Sequence, residues 1–335
     1  MAATIKDIAK AVGVNPSTVS RVINGTATIS EETKEKINKA MRDLDYHPNS
    51  YARSLANGST FTIGLVIDAG NKDAFSNAFF IQSVTAIEAI AQEKGYNVLI
   101  TNDSHDEHDN TITNMVLERK VDGLIIPVQC MNDELVDLMI SNDFPFVIMG
   151  EPQKNKTNIC WVDVDNEQGG ELAVRHLIEN GYKSPMLLVE DKKTIFEGKR
   201  MKGFQKECSK CGIADPKVHT YTGQRIDEIL DDIVSGKRDT DCFICTNNIV
   251  AFKVLKAAKA KKIKIPKQIG LLTFDNYPLA EYMEPALSVV DIDTYRMGTA
   301  AAEMLFEFMK GRDKKVACKL VKTQVIERES TRYKK

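Results

Sequence analysis

From residue 62 onward, short continuous apolar runs alternate with amphipathic ones, and no other feature constrains the fold as strongly. The apolar runs are TIGLVID (62–68), YNVLIT (96–101), DGLIIPV (122–128), PFVIMG (145–150), ICWVDVD (159–165), PMLLVE (185–190), DCFICT (241–246) and IGLLTFD (269–275). Helical stretches such as 83–94, 166–180, 199–211 and 250–262 separate them. Strands apolar on both faces belong in parallel sheets covered by helices on each side. Eight or more of them predict an α/β protein with two subdomains of doubly wound parallel sheet rather than a single sheet. A closed barrel of eight units competes on element count. Against it, SVVDIDTYRMGTAAAEMLFEFMKG (288–311) adds a further strand and helix, and CKLVKTQVIERES (318–330) adds an extended tail. Paired subdomains joined by crossovers accommodate those pieces; a barrel has no use for them.

Open α/β sheets bind ligands at the carboxyl ends of their strands. Here those ends carry Asp68, Gly150, Asp165, Glu190, Asn247 and Asp275. No G-x-G-x-x-G follows a strand, and no phosphate-binding G-x-x-x-x-G-K-[ST], H-E-x-x-H or G-x-S-x-G occurs. Polar strand ends without an activated nucleophile point to binding rather than catalysis. His105 and His108, in DSHDEHDN, read as a solvated turn rather than a metal site. The pairs Cys208/Cys211 and Cys242/Cys245 have zinc-like spacing. The second pair lies in a strand, however, where residues three apart point to opposite faces. No metal and no cofactor is expected. Seven cysteines, an odd number scattered through 335 residues, fit a reducing compartment. With no signal-peptide core and no run long enough to span a bilayer, the expectation is a cytoplasmic protein with no membrane partner.

The amino-terminal stretch TIKDIAKAVGVNPSTVSRVINGT (4–26) reads as two short helices with a turn of about three residues between them, as a helix-turn-helix requires. Thr4 with Asp7 has the spacing of a capping box, and Gly13 suits the left-handed residue that ends a helix. Asn15 caps the next helix and Pro16 opens it, since a first-turn N–H has no helical partner to lose. Val19, Val22 and Ile23 then face inward, leaving Ser17, Thr18, Ser20 and Arg21 outside. A third helix from Ser30 carries the stripe Ile37, Ala40, Met41 and Leu44. Each helix is too short to stand alone, so the three share one small core. Residues 1–60 hold eight Lys or Arg against six Asp or Glu, whereas the whole chain has a net charge of -2. Composition alone does not separate a DNA-binding headpiece from a helical cap on an enzyme.

Residues 4–25, followed by ISEETKEKINKAMRDLDYHPNSYARSL (29–55), resemble the DNA-binding headpiece and hinge of the lactose-repressor (LacI/GalR) family. The likeness runs through KRMKGF (199–204), CTNNIVAF (245–252), LLTFDN (271–276) and EPALSVVDIDTYRMGTAAAEMLF (284–306), in the order of that family's sugar-binding core. It implies a headpiece over 1–46, a hinge helix and linker over 47–60, and a two-lobed core over 61–335. That core resembles periplasmic binding proteins of type I. Lobe 1 is expected at about 61–160 and 291–318, and lobe 2 at about 161–290 and 319–335. The family's second helix enters the major groove, which gives Pro16, Ser17 and Arg21 to base edges and Thr18, Ser20 and Asn24 to phosphates. Its hinge leucine wedges into the minor groove. Leu55 matches it, with Ala52 beside it and Arg53 near phosphate.

For the effector, the resemblance implies Arg200, Asn247 and Asp275, with Asp165 at the crossover between lobes. Phe79 and Phe80 match a pocket-rim site, and Phe196 and Tyr221 are further candidates. Two positions depart from the pattern: Gly150–Glu151 where an Asp is frequent, and Asn248 where Asp is usual. DAFSNAFF (73–80), DFPFVIMGEP (143–152) and VDVDNEQGG (162–170) look most like the maltose-operon repressors of Gram-positive bacteria. The implied protein is no enzyme. It is a repressor of a carbohydrate operon, released from its operator by maltose or a related α-glucoside. Alternatives within the family are a corepressor-activated regulator and a regulator of another disaccharide operon. With no leucine heptad after the core, a homodimer on a pseudopalindromic operator is expected. A transport binding protein would need an export signal and no headpiece. A sugar-acting enzyme would need an acid pair, for which Asp165 and Asp275 are the candidates.

Overall fold

The computed structural model describes residues 3–24, 29–48, 54, 58–68, 78–103, 111–153, 159–190, 194–220, 226–311 and 317–332. The chain divides into two compact units, Met1–Phe61 and Thr62–Lys335.

In the first unit, α1 (Ile5–Val12), α2 (Pro16–Asn24) and α3 (Glu31–Asp43) form as their end signals dictate. The capping box is complete: the Asp7 N–H donates to Thr4 Oγ1 (3.4 Å) and the Thr4 N–H donates to the Asp7 carboxylate (2.9 Å). Gly13 closes α1 at φ +75°. Asn15 Oδ1 accepts from the Ser17 N–H (3.0 Å), so Pro16 is the first residue of α2 rather than a break. Ile8, Ala9, Val19, Ile37 and Ala40 make the buried core, with Val22, Ile23 and Met41 packed around it. Each large aliphatic chain buried there contributes about 1.5–3 kcal/mol. Leu44 differs from expectation. It is the residue after the last turn of α3, and it is 42% exposed.

The second unit holds two six-stranded sheets. The first contains β1 (Thr62–Ile67), β2 (Asn97–Asn102), β3 (Gly123–Pro127), β4 (Phe146–Met149), β5 (Trp161–Val164) and β11 (Cys318–Val321). Their order is β11-β5-β4-β3-β1-β2, parallel throughout. The second contains β6 (Pro185–Val189), β7 (Lys217–Thr220), β8 (Cys242–Cys245), β9 (Gly270–Phe274), β10 (Ser288–Asp291) and β12 (Gln324–Ile326). Their order is β12-β10-β9-β8-β6-β7, and β12 alone runs antiparallel. Connecting helices cover both sheets: α4 (Ala78–Glu93), α5 (Thr111–Leu117), α6 (Asp133–Ser141), α7 (Asn166–Glu179), α8 (Ile195–Lys210), α9 (Ile226–Val234), α10 (Asn248–Ala260) and α11 (Thr294–Met309). The two-lobed α/β architecture is the one expected. The first sheet retains β5 and β11, which the approximate limits of 160 and 318 would have cut away.

The chain crosses between the sheets three times: β5 to α7, β10 to α11, and β11 to β12. Hydrogen bonds tie these crossovers together. The Asp165 N–H donates to Val321 O (2.8 Å), the Thr323 N–H to Gln168 Oε1 (3.1 Å), and Gln324 Nε2 to Asp291 Oδ2 (3.2 Å). Along β8 the strand period holds: Cys242 packs into the apolar cluster shared with Cys208, and Cys245 into the cluster on the other face. His105 and His108 lie outside the described residues. No helix among the described residues is long and apolar enough to cross a membrane.

Candidate functional site

The carboxyl ends of the strands in both sheets converge on one cavity of about 810 Å³. That volume is in the range of small-molecule sites. Lobe 1 contributes Leu65 of β1, Phe80 and Val84 of α4, Pro127 at the end of β3 with Met131, Asn132 and Asp133 beyond it, and Met149, Gly150 and Glu151 at the end of β4. Asp163 of β5 completes that side. Lobe 2 contributes the first turns of α8 with Phe196 and Arg200, and the strand ends at Thr246, Asn247 and Asp275.

Arg200 is the centre of the site, and its placement follows from two glycines. A Cβ on Gly203 would lie 1.9 Å from Glu167 O, and one on Gly170 would lie 2.2 Å from Arg200 O. Only with glycine at both positions do α7 and α8 touch backbone to backbone, and that contact seats Arg200 in the interior, 4% exposed. Its Nε donates to Asn166 Oδ1 (2.9 Å) and its Nη1 to Thr246 O. Nη2 lies 3.7 Å from Asp275 Oδ1. The guanidinium also stacks over Phe274 (4.1 Å) and Phe196 (5.2 Å), adding cation–π attraction. Burial lowers the basicity of Arg200, opposed by the carboxylates of Asp275, Asp163 and Glu197.

The acidic groups are held as firmly. Asp275 ends β9 at φ +71°, a left-handed conformation that Asp tolerates better than most residues. Burial raises its pKa and Arg200 counters the rise. Asp163 accepts from the N–H groups of Glu151 (3.0 Å) and Val164 (2.7 Å). Burial raises its pKa against those two donors and Arg200. Glu197 is buried behind the cavity wall, where it accepts from Thr246 Oγ1 (2.6 Å) and the Glu190 N–H (2.9 Å), fixing the end of β8. Asn247 caps α10 by accepting from the Val250 N–H (3.0 Å) and donates to Glu190 Oε2 (3.1 Å).

Of the residues expected at an effector site, Arg200, Asn247, Asp275, Phe80 and Phe196 stand in the cavity wall. Asp165 does not. Its carboxylate caps α7 by accepting from the Gln168 N–H (3.0 Å), and Asp163 of the same VDVD run lines the cavity instead. An Asp165–Asp275 acid pair is thereby lost. Phe79 falls within α4, though its side chain is outside the described residues, as is Tyr221. Asn132, Asp133, Glu151 and Thr246 also line the cavity and were not singled out as ligand contacts. Only Glu151 had a signal, as a break in the expected pattern.

Among the described residues, four carboxylates line the cavity (Asp133, Glu151, Asp163, Asp275), and the Arg200 fork beside them is already engaged. Carboxylates accept hydrogen bonds from hydroxyls, and the Phe80 and Phe196 rings offer flat apolar faces. An uncharged, hydroxyl-rich molecule suits this lining. A phosphorylated one meets like charge.

On the headpiece, Pro16, Ser17 and Arg21 are exposed, while Thr18, Ser20 and Asn24 are half-buried. The Ser17 hydroxyl donates to Asn15 Oδ1 (2.9 Å), and Asn24 Nδ2 donates to Ser20 Oγ (3.3 Å). Arg21 is the long cationic side chain on this face. Ala52, Arg53 and Leu55 lie outside the described residues.

Residues 4–49 match the model of bacterial regulatory proteins of the lacI family, and residues 174–331 match a periplasmic binding protein-like domain. The HTH-type transcriptional repressor PurR of Aliivibrio fischeri (strain MJ11) is 30% identical over 340 residues, covering 98% of both chains. The HTH-type transcriptional regulator MalR of Streptococcus pneumoniae serotype 4 is 32% identical over 343 residues, covering 98% of this chain and 100% of the relative. The structure of a lac repressor dimer bound to operator and an anti-inducer superposes with a TM-score of 0.76 at 22% identity, covering 99% of each chain. That last likeness supports the fold.

Proposed function

The chain belongs to the lacI family of bacterial regulatory proteins, DNA-binding repressors rather than enzymes, and from that premise we propose that it represses a carbohydrate-utilisation operon and leaves its operator when maltose or a related α-glucoside binds. The observation that carries this reading is the cavity: carboxylate acceptors and aromatic faces around an engaged Arg200, in a chain that also bears a helix-turn-helix. A sugar that fills the cleft draws the lobes together about the three crossovers, as hinge-bending domains do. Closure alters the partner contacts beside the hinge segment, and operator affinity falls. The test is a thermal-shift screen of the full chain with maltose, other disaccharides and their phosphorylated forms. A ligand at a hundred times its Kd stabilises the folded state by about 2.7 kcal/mol. Maltose is expected to raise the melting temperature and its phosphorylated form to leave it unchanged; no shift with maltose would sink the choice of sugar.

DNA recognition rests on Pro16, Ser17 and Arg21 at base edges, Thr18, Ser20 and Asn24 at phosphates, and the hinge residues Ala52, Arg53 and Leu55. Pro16 donates nothing and Ser17 discriminates weakly, so specificity concentrates on Arg21 and on bending at Leu55. Arg21→Ala is expected to cost about 1–3 kcal/mol at the matched base pair, in keeping with a bidentate guanine contact. Leu55→Ala is expected to weaken operator binding while sparing sugar binding. Gel-shift titration against operator and scrambled duplex reads both; unchanged affinity in either variant removes that residue from the account.

We place the homodimer contact on the core. Ile249 on α10 and Leu279 and Tyr282 on the turn after β9 are 56%, 47% and 75% exposed, an uncommon display for large apolar side chains. The Phe252–Tyr277 ring contact (6.2 Å) ties the two elements together. A two-fold dimer through this face fits a pseudopalindromic operator. Leu279→Asp with Tyr282→Asp is expected to shift sedimentation from dimer to monomer; an unchanged coefficient would place the contact elsewhere.

A further inference from the structure

Glu151, where the sequence breaks the family pattern, finds its partner on the opposite lobe. Gly150 ends β4 at φ +103°, and a Cβ there would lie 2.7 Å from Val128 Cγ1, so the turn accepts only glycine. That turn brings Glu151 into the cavity wall, with its N–H fixed on Asp163 Oδ2 (3.0 Å). Its Oε2 pairs with Lys199 Nζ in the second turn of α8. Glu151 follows a strand of the first sheet, whereas α8 packs on α7 and β6 of the second lobe. The two side chains retain 22% and 32% exposure, half-removed from solvent. Among the described residues, no other ion pair joins the two lobes at the cavity.

We infer that Glu151 and Lys199 are positioning residues that hold the lobes part-closed over the cavity before a ligand enters, leaving the ligand to complete the closure. The two sheets are joined by three crossovers, a connection that permits hinge motion. An ion pair half-removed from water attracts more strongly than an exposed one, because less solvent screens it. Placed between the lobes, it favours the closed arrangement. Apparent ligand affinity scales with the fraction of molecules in the competent state, so a pair that populates closure also raises affinity. This consequence rests on reading the cavity as the effector site; the closure does not.

The experiment measures the distance between spin labels on Leu117→Cys and Val234→Cys, exposed positions on opposite lobes. The background carries Cys211→Ser and Cys318→Ser, which remove the exposed thiols. Without ligand, the unmodified pair is expected to give one narrow distance distribution. Lys199→Glu and Glu151→Lys each broaden and displace it, and the exchanged pair E151K/K199E restores it. A merely structural role for either residue would not be rescued by exchange. Circular dichroism checks folding, and Lys199→Met serves where a charge reversal unfolds the chain. Identical distributions in all variants, or an exchange that fails to restore the original, would overturn the inference. In a parallel maltose titration, a tenfold loss of closed fraction raises the apparent Kd about tenfold, recovered in the exchanged pair. A maltose Kd unaltered by the single reversals overturns the link between closure and affinity. If the distances behave as expected and the unmodified protein ignores maltose, the choice of sugar fails while the pair stands.

Discussion

Arg200→Met is expected to abolish the effector response and to lower the stability of the core unit by on the order of 3 kcal/mol, as removing one partner from a buried ion pair does. Methionine fills much of the volume but donates nothing. Thr246 O and Asn166 Oδ1 lose their donor, and Asp275 and Asp163 lose the cation that offsets their burial. Buried groups left without partners account for most of the cost. Arg200→Lys keeps the charge but not the planar fork, so it retains part of the stability and little of the response. Urea unfolding followed by circular dichroism measures the first effect, and operator release measures the second. Equal midpoints for the parent and the methionine variant would mean that the Arg200 network contributes nothing to the fold.

Gly203→Val is expected to destabilise the core unit by about 3 kcal/mol or more, at the upper end of what overpacking costs. The obstacle is the backbone of α7, with Glu167 O and C at 1.9 and 2.9 Å from the added Cβ, so no side chain can yield. The helices must separate, and Arg200 moves with α8. The control is Gly198→Ala on the same helix, where an added Cβ meets nothing within 4 Å. That change is expected to be neutral or stabilising by up to about 1 kcal/mol, the helix-propensity gain. Thermal melts of the pair decide between close approach and propensity. If both substitutions behave alike, the backbone contact of α7 with α8 is not what seats Arg200.

The alternation of apolar runs carried the two-sheet architecture, because a strand buried on both faces leaves a signal that needs no partner to interpret. β7 escaped it. KVHT is an edge strand, half-buried along its length, and nothing in its composition separates it from a loop. The capping of α1, α2 and α3 was readable because caps are local chemistry. The cavity was readable in part: Asn247 and Asp275 stand at strand ends, where ligands of such sheets bind, whereas Arg200, inside α8, was legible only through the family resemblance. Asp165 and Asp163 are two residues apart in one run, and which of them caps a helix depends on where β5 stops. The partner of Glu151 lies on another lobe, 48 residues away in sequence, beyond any local pattern. The glycines of α7 and α8 look like weak points in their helices until the two backbones are seen in contact.

On the proposed reading, one small molecule in the cleft governs the grip of the headpiece on DNA. Fluorescence anisotropy tests it most directly, with a labelled pseudopalindromic duplex selected by the protein from a random pool, titrated at fixed salt with and without maltose. Coupling of the usual size, about 1–3 kcal/mol, predicts that saturating maltose raises the Kd for DNA roughly 5- to 150-fold. An operator Kd that maltose leaves unchanged, or tightens, would contradict the account.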